Sequence, residues 1–195
     1  MLWFKYSHSF QPATLKKESI PQLLSPLQGL QYSINGGAAL MLHNIRPTQD
    51  LDVFIHPDDI GEAVDRYRAI GAKIAQITPV ASMGRELGGF TVSYNGHEID
   101  LMTSLDQEHP WLNQSIQESH KSPYGNILSP TWLLLTKMLS MRDKDVNDYQ
   151  KVFTKLSPIE KKNALRLIRQ QFPDLEDDFK TMKLIDKYSP ELLAA

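Results

Sequence analysis

The segment Asp50-Leu51-Asp52-Val53 puts two carboxylates two residues apart among apolar neighbours. In an extended chain alternate side chains share a face, so Asp50 and Asp52 point one way and Leu51 and Val53 the other. Asp is disfavoured in strands. Two carboxylates on one face also repel unless water or a cation lies between them. A divalent metal removes that repulsion directly, and Mg2+ is commonly held by one or two carboxylates together with substrate phosphates. A solvated sheet edge would account for an isolated Asp-Leu-Asp, but Ile99-Asp100-Leu101 repeats the theme with one acid between two apolar residues. If that strand lies beside the first, three carboxylates converge. This is the inventory for metal-assisted phosphoryl chemistry: two acids bind metal, and the third binds the nucleophile-side metal or takes the nucleophile's proton. The competing account of Asp100 is a polar residue on the wet face of an antiparallel sheet.

Elements of fixed kind must position these acids. Gln31 to Asn35 reads as a strand ending at Gly36-Gly37, and Ala38 to His43 as a helix of strong helix formers. Two glycines let the backbone turn sharply and approach a ligand, and N–H groups opening a helix can bind an anion. Asp50 to Ile55 is a strand. A helix opened by Pro57-Asp58-Asp59 runs to about Ile70 and stops at Gly71. Ala72 to Ile77, Phe90 to Tyr94 and His97 to Thr103 are further strands, the last two joined by the hairpin signal Asn95-Gly96. Ser19 to Ser25 reads as a short helix with Ser19 as cap. After Thr103 the strand signals fade. Helices are expected over Pro130 to Met141, Val146 to Leu156, Ile159 to Gln171 and Leu175 to Tyr188, with Leu175, Phe179, Met182 and Ile185 as a buried stripe on the last. The chain thus divides into a mixed part, 1–105, and a helical part, 106–195, packed on it.

Composition narrows the function classes. The 195 residues carry 21 Lys+Arg against 23 Asp+Glu, a formal charge of -2, with 41% hydrophobic and 23% charged residues. Such a chain folds and is not a uniformly basic nucleic-acid sleeve. The absence of Cys removes disulfides, thiolate zinc sites, iron–sulfur clusters and thiol nucleophiles together. The apolar run Trp132 to Leu135 is far too short to cross a bilayer. The N-terminus lacks the features of a secretion signal, so a cytoplasmic protein with no membrane partner is the expectation.

The run Ile34-Asn35-Gly36-Gly37-Ala38-Ala39-Leu40, followed by Arg46-Pro47-Thr48-Gln49-Asp50-Leu51-Asp52-Val53, resembles the signature of the nucleotidyltransferase superfamily related to DNA polymerase beta. The Arg-x-Thr-x-Asp lead-in is similar to the small bacterial members, which include AbiEii-type toxins and antibiotic nucleotidyltransferases. A second likeness follows in Lys137 and then Arg142-Asp143-Lys144-Asp145-Val146-Asn147-Asp148-Tyr149. The signature more often has Ser as its second small residue, where this chain has Gly37. Backbone N–H groups remain to do the work of that hydroxyl.

The resemblance implies an α+β fold, a nucleotidyltransferase-like mixed sheet flanked by helices and followed by a helical C-terminal region. It implies a Mg2+-dependent, two-metal enzyme that transfers a nucleoside monophosphate from a nucleoside triphosphate to a hydroxyl. Asp50, Asp52 and Asp100 would hold the metals, with Asp100 holding or deprotonating the acceptor. Gly36, Gly37, Arg46, Lys137, Arg142 and Lys144 would bind the nucleotide's phosphates, and Asp145 and Asp148 would hold those cations in place. A surface Arg in a turn is an equal account of Arg46. The acceptor would be RNA or tRNA in a toxin-type system, with an antitoxin protein as a further partner, or a small hydroxylated molecule. Lys151, Lys155, Lys161, Lys162, Arg166 and Arg169 form a basic stretch that suits an RNA backbone, though a solvated helix face is the blander account. Trp111, Trp132 and Tyr149 are candidates for base stacking, with core packing favoured for Trp132. A catalytically silent member that binds nucleotide or a protein is the alternative from another class, and a metal-dependent phosphohydrolase is a third.

Overall fold

The computed structural model of the protein describes residues 14–82, 85–105, 111–140 and 143–188. After a 3-10 turn at Lys17–Ser19, α1 (Ile20–Leu23) runs through Leu24 into a second such turn, Ser25–Leu27. The Ser19 side chain does not cap α1; its hydroxyl donates to Lys16 O at 2.7 Å. The expected single helix is therefore a broken one, as Pro26 has no N–H to continue the ladder past Leu24. Strand β1 (Tyr32–Asn35) leads into α2 (Gly36–Leu42), then β2 (Leu51–Ile55) and α3 (Ile60–Ala69). Pro57 to Asp59 form a turn rather than the first helical residues, so α3 begins later than its sequence signals suggest.

The strands β3 (Lys73–Ser82), β4 (Arg85–Tyr94) and β5 (His97–Ser104) follow as a meander. Asn95 and Gly96 both have positive φ, 49° and 77°, the pair of left-handed residues that a two-residue hairpin turn requires. Next come α4 (Trp111–Gln117), β6 (His120–Ser122) and β7 (Gly125–Ile127). The last two correct the expectation that strands end at Thr103. They are three residues each and pair with one another, and β7 joins β1 in parallel with Ile127 in register with Ile34. Segments this short carry no readable alternation. The sheet therefore extends well past residue 105, in the order β3-β4-β5-β2-β1-β7-β6.

The remaining helices are α5 (Pro130–Ser140), α6 (Asp143–Lys155), α7 (Pro158–Gln171) and α8 (Glu176–Tyr188), the last entered by a 3-10 turn at Pro173–Leu175. A capping box starts α7: Ser157 Oγ accepts from Glu160 N–H while Ser157 N–H donates to the Glu160 carboxylate at 2.8 Å. Leu175, Phe179 and Met182 are buried as the helical spacing predicts. The side chain of Ile185 lies outside the described residues.

The two faces of the sheet centre differ. Leu51, Val53 and Ile55 share one face with Ile34, Ile99, Leu101 and Val92, all buried. On the other face Phe54 meets Trp111 edge-on at 5.8 Å, and Phe172 touches both Trp111 and Trp132. Trp111 and Trp132 are thus core residues at 1% and 0% exposure, which removes them as base-stacking platforms. This aromatic cluster covers the Phe54 end of that face and leaves the Asp52 end to the site. Among the described residues no helix is long and apolar enough to cross a membrane.

Ser157→Ala removes the hydroxyl that accepts from Glu160 N–H at the start of α7 and leaves the Ser157 N–H bond to the Glu160 carboxylate. The expected cost is about 1 kcal/mol, read as a Tm lower by about 2–4 °C in a thermal melt.

Candidate active site

The sheet register brings the acids together. Parallel strands β2 and β5 align Leu51 with Ile99 and Asp52 with Asp100, so the two carboxylates are side by side on one face. In antiparallel β1 and β2, Asn35 stands opposite Asp52, and in β4 and β5, Thr91 stands opposite Asp100. Asn35, Asp52, Asp100 and Thr91 therefore form one polar row across four strands. Asp50, two residues ahead of Asp52, is exposed, and its N–H donates to Thr48 Oγ1 at 3.2 Å. Glu98, also exposed, lies two residues before Asp100 and so on the same face.

Gly36 and Gly37, the first two residues of α2, are packed around Asp52 and Thr48. Gly36 has φ +55°, and a Cβ there would fall 1.8 Å from Asp52 Oδ2. A Cβ on Gly37 would fall 2.2 Å from Thr48 Oγ1. Neither position has room for a side chain, and the first also needs the left-handed backbone that glycine adopts without cost. Gly37 N–H faces Asp52 Oδ2 at 3.4 Å. The glycines thus bring backbone against the carboxylate, which the sequence pattern alone did not specify.

Burial raises the Asp52 pKa most, and the charges of Asp100 and Asp50 raise it further, to about 6, against smaller opposing effects of the Gly37 N–H and the Lys137 cation. Asp100 has a different partner: Thr91 Oγ1 donates to its Oδ1 at 2.6 Å. Among the described residues no group of three or more acidic or histidine side chains is close enough to enclose a metal ion by itself.

A second polar cluster lies behind this row. Lys137, on α5, is 5% exposed, although it falls within an apolar run. Its Nζ donates to Asp145 Oδ1 at 2.7 Å and is 3.5 Å from Asp148 Oδ2. Asp145 also accepts from Ser140 Oγ at 2.5 Å. Arg46 grips Asp148 with both ends of its fork, Nε to Oδ1 at 2.6 Å and Nη2 to Oδ2 at 2.8 Å. Asp145 and Asp148, at 0% and 2% exposure, hold these cations, and the pairing ties the loop before β2 to α5 and α6. Arg46 is consequently anchored rather than a loose surface side chain. Arg142 and the side chain of Lys144 lie outside the described residues.

The basic stretch is partly spent on the protein itself. Lys155 donates to Asn44 O, Lys161 pairs with Asp186, and Arg169 pairs with Glu176. Tyr149 is partly buried against the core.

Sequence reasoning did not single out Thr91, Asn35 or Glu98. For Thr91 a signal was present: a two-residue turn at Asn95-Gly96 pairs Tyr94 with His97, and counting back along both strands pairs Thr91 with Asp100. Asn35 needed the β1–β2 pairing, which no local pattern announces.

An α+β fold with a mixed sheet, a Gly-Gly helix start packed on an aspartate and a second aspartate beside it in register is a nucleotidyltransferase-like fold. Solved structures agree. The solution structure of the antibiotic-resistance factor ANT(2'')-Ia matches at 14% identity over 85% of this chain and 97% of that one, with a TM-score of 0.53. The crystal structure of ANT(2")-Ia in complex with adenylyl-2"-tobramycin matches at 15% identity over 85% and 94%, with a TM-score of 0.46. JHP933 from Helicobacter pylori matches at 16% identity over 87% and 78%, with a TM-score of 0.48. No family model and no curated protein matches the sequence. At these identities the likeness is one of fold, and the first of the three carries it.

Two expectations follow from the electrostatics. The folded Asp52 pKa lies above its unfolded value, so the native state holds a proton that the unfolded chain has released between about pH 4 and 6. Ionised Asp52 therefore costs stability at pH 7, on the order of 2 kcal/mol allowing for partial exposure. Asp52→Asn should raise the Tm by about 4–8 °C at pH 7, and the gain should shrink as pH falls from 6 toward 4. Asp148→Ala leaves two cations facing one fewer buried carboxylate and should cost about 3–5 kcal/mol, measured by urea denaturation.

Proposed function

We propose that the protein is a nucleotidyltransferase that moves a nucleoside monophosphate from a nucleoside triphosphate to the hydroxyl of a small polyhydroxylated molecule. The observation that carries this is the juxtaposition of Asp52 and Asp100 on neighbouring strands, with the Gly36-Gly37 backbone folded against Asp52 where no Cβ fits. A phosphate chain brought to this backbone would lie beside carboxylates, which requires a cation between them.

The donor set fits Mg2+. It consists of carboxylate oxygens, and Asp52 and Asp100 stand in register on neighbouring strands, a pair whose repulsion a cation would relieve. Asp52 and Asp100 would hold the ion with help from the exposed Asp50, leaving other positions to water and phosphate oxygens, as Mg2+ commonly binds. When bound, it would neutralise charge on the triphosphate and on the oxygens entering and leaving the α-phosphorus. Asp100 takes the acceptor's hydroxyl proton as the oxygen bonds to phosphorus and pyrophosphate departs. The close backbone at Gly36 and Gly37 orients the triphosphate. Lys137, compensated by Asp145 and Asp148, adds positive potential from behind rather than a direct grip.

A small acceptor is favoured over RNA because Lys155, Lys161 and Arg169 are engaged within the protein. The likeness to an antibiotic-resistance factor over 97% of its chain supports the same choice. A silent nucleotide binder remains the second reading, since no three acids enclose an ion among the described residues.

The test is transfer from each α-labelled nucleoside triphosphate with Mg2+, against a panel of aminoglycosides and, separately, total tRNA. A labelled small acceptor with matching pyrophosphate release is expected, and Asp52→Asn and Asp100→Asn should each lower the rate at least about 100-fold. Label on tRNA would move the acceptor to RNA. Bound nucleotide with no transfer would favour the silent binder, and free phosphate without labelled acceptor a hydrolase.

A further inference from the structure

Asp100 stands between Asp52 and Thr91 in the polar row, so its carboxylate has a like charge on one side and a hydroxyl on the other. Asp52 is beside it on β2, and Thr91 is opposite it on β4. Thr91 Oγ1 donates its proton to Asp100 Oδ1 at 2.6 Å, while Oδ2 has no hydrogen-bond partner among the described residues. The torsion that turns an Asp carboxylate about its last bond is broad, so packing alone does not fix which oxygen faces the cleft. A hydrogen bond to one oxygen does. Both residues are only half-buried.

The β4–β5 hairpin makes this partner rigid. The Asn95-Gly96 turn sets the register, and the ladder is continuous from Tyr94–His97 through Thr91–Asp100 to Leu87–Ser104. Beneath the pair, Val92 and Ile99 are fully buried, so neither strand can rotate Thr91 away from Asp100 without exposing core. Thr is also β-branched, which restricts its hydroxyl to few positions.

We propose that Thr91 is a positioning residue for transfer: by holding Asp100 Oδ1 it presents Oδ2 to the acceptor hydroxyl. Thr91 touches neither nucleotide nor acceptor in this arrangement and acts through Asp100. The inference rests on the nucleotidyl-transfer reading of the site. Loss of the hydroxyl would let the carboxylate turn, and misplacement of a reacting group is felt at the chemical step rather than in nucleotide binding.

The test compares Thr91→Val, which keeps the shape, with Thr91→Ser, which keeps the hydroxyl, in the full chain. For Thr91→Val, kcat should fall about 10- to 100-fold while KM for the triphosphate stays within about 2-fold, and Thr91→Ser should recover most of the loss. A crystal structure of Thr91→Val should show the Asp100 carboxylate turned from its wild-type orientation. Should Thr91→Val not fold, Thr91→Ala serves in its place. Unchanged kcat with Asp100 in place, or an equal loss in Thr91→Ser, would overturn the proposal. If the wild-type protein transfers nothing, the function reading falls by itself, and the Asp100 orientation in the Thr91→Val crystal still decides whether Thr91 holds it.

Discussion

Two carboxylates in register on adjacent parallel strands are an expensive thing to build into the centre of a sheet, and much of the neighbouring structure answers to that cost. Asp52 and Asp100 stand side by side because Leu51 must pair with Ile99, and Val53 with Leu101, to bury the apolar face below. The hydrophobic pairing that stabilises the sheet is thus the same pairing that forces the charges together. Asp100 receives a hydroxyl from Thr91. The Asp52 pKa is raised to about 6, by burial first and then by the charges of Asp100 and Asp50, and the Gly37 N–H only partly offsets this.

The same logic explains the polar cluster behind the row. Lys137 interrupts an apolar helix, a costly position for a cation unless it is paired. Asp145 and Asp148 pair it, and Arg46 completes the set, so two cations face two carboxylates. The cluster fastens the loop that enters β2, and with it Asp50 and Asp52, to α5 and α6. The later helices are therefore part of the site's scaffold.

Charge along the outer helices follows a different rule. Lys155, Lys161 and Arg169 look like a basic stripe in one dimension, but in three dimensions each finds an oxygen from another element. Partners distant in sequence are invisible to a count of charges along a segment, and they lower the potential such a stripe offers to a polyanion.

How much was legible in the sequence follows from the range of the interactions. The Asn95-Gly96 turn and the Ser157-Pro158 helix start are local patterns, and each appears in the structure where those residues stand; of Asp-Leu-Asp only Leu51 and Asp52 lie in β2, with Asp50 just before it, and Gly36 and Gly37 are the first residues of α2 rather than a link before it. Strands β6 and β7 are too short for periodicity to mark, and the pairing of Ile127 with Ile34 that joins them to the sheet is a tertiary event. The sequence by itself marked the candidate acids and glycines and the elements on or beside which they lie, because side-chain type and alternation are properties of neighbours in the chain. Only the tertiary structure decided that Asp52 and Asp100 align, that Gly36 closes on Asp52, that Lys137 and Arg46 are spent on buried carboxylates, and that Trp111 belongs to the core. Strand order, register and burial are settled by the packing of the whole hydrophobic face, to which residues far apart contribute together.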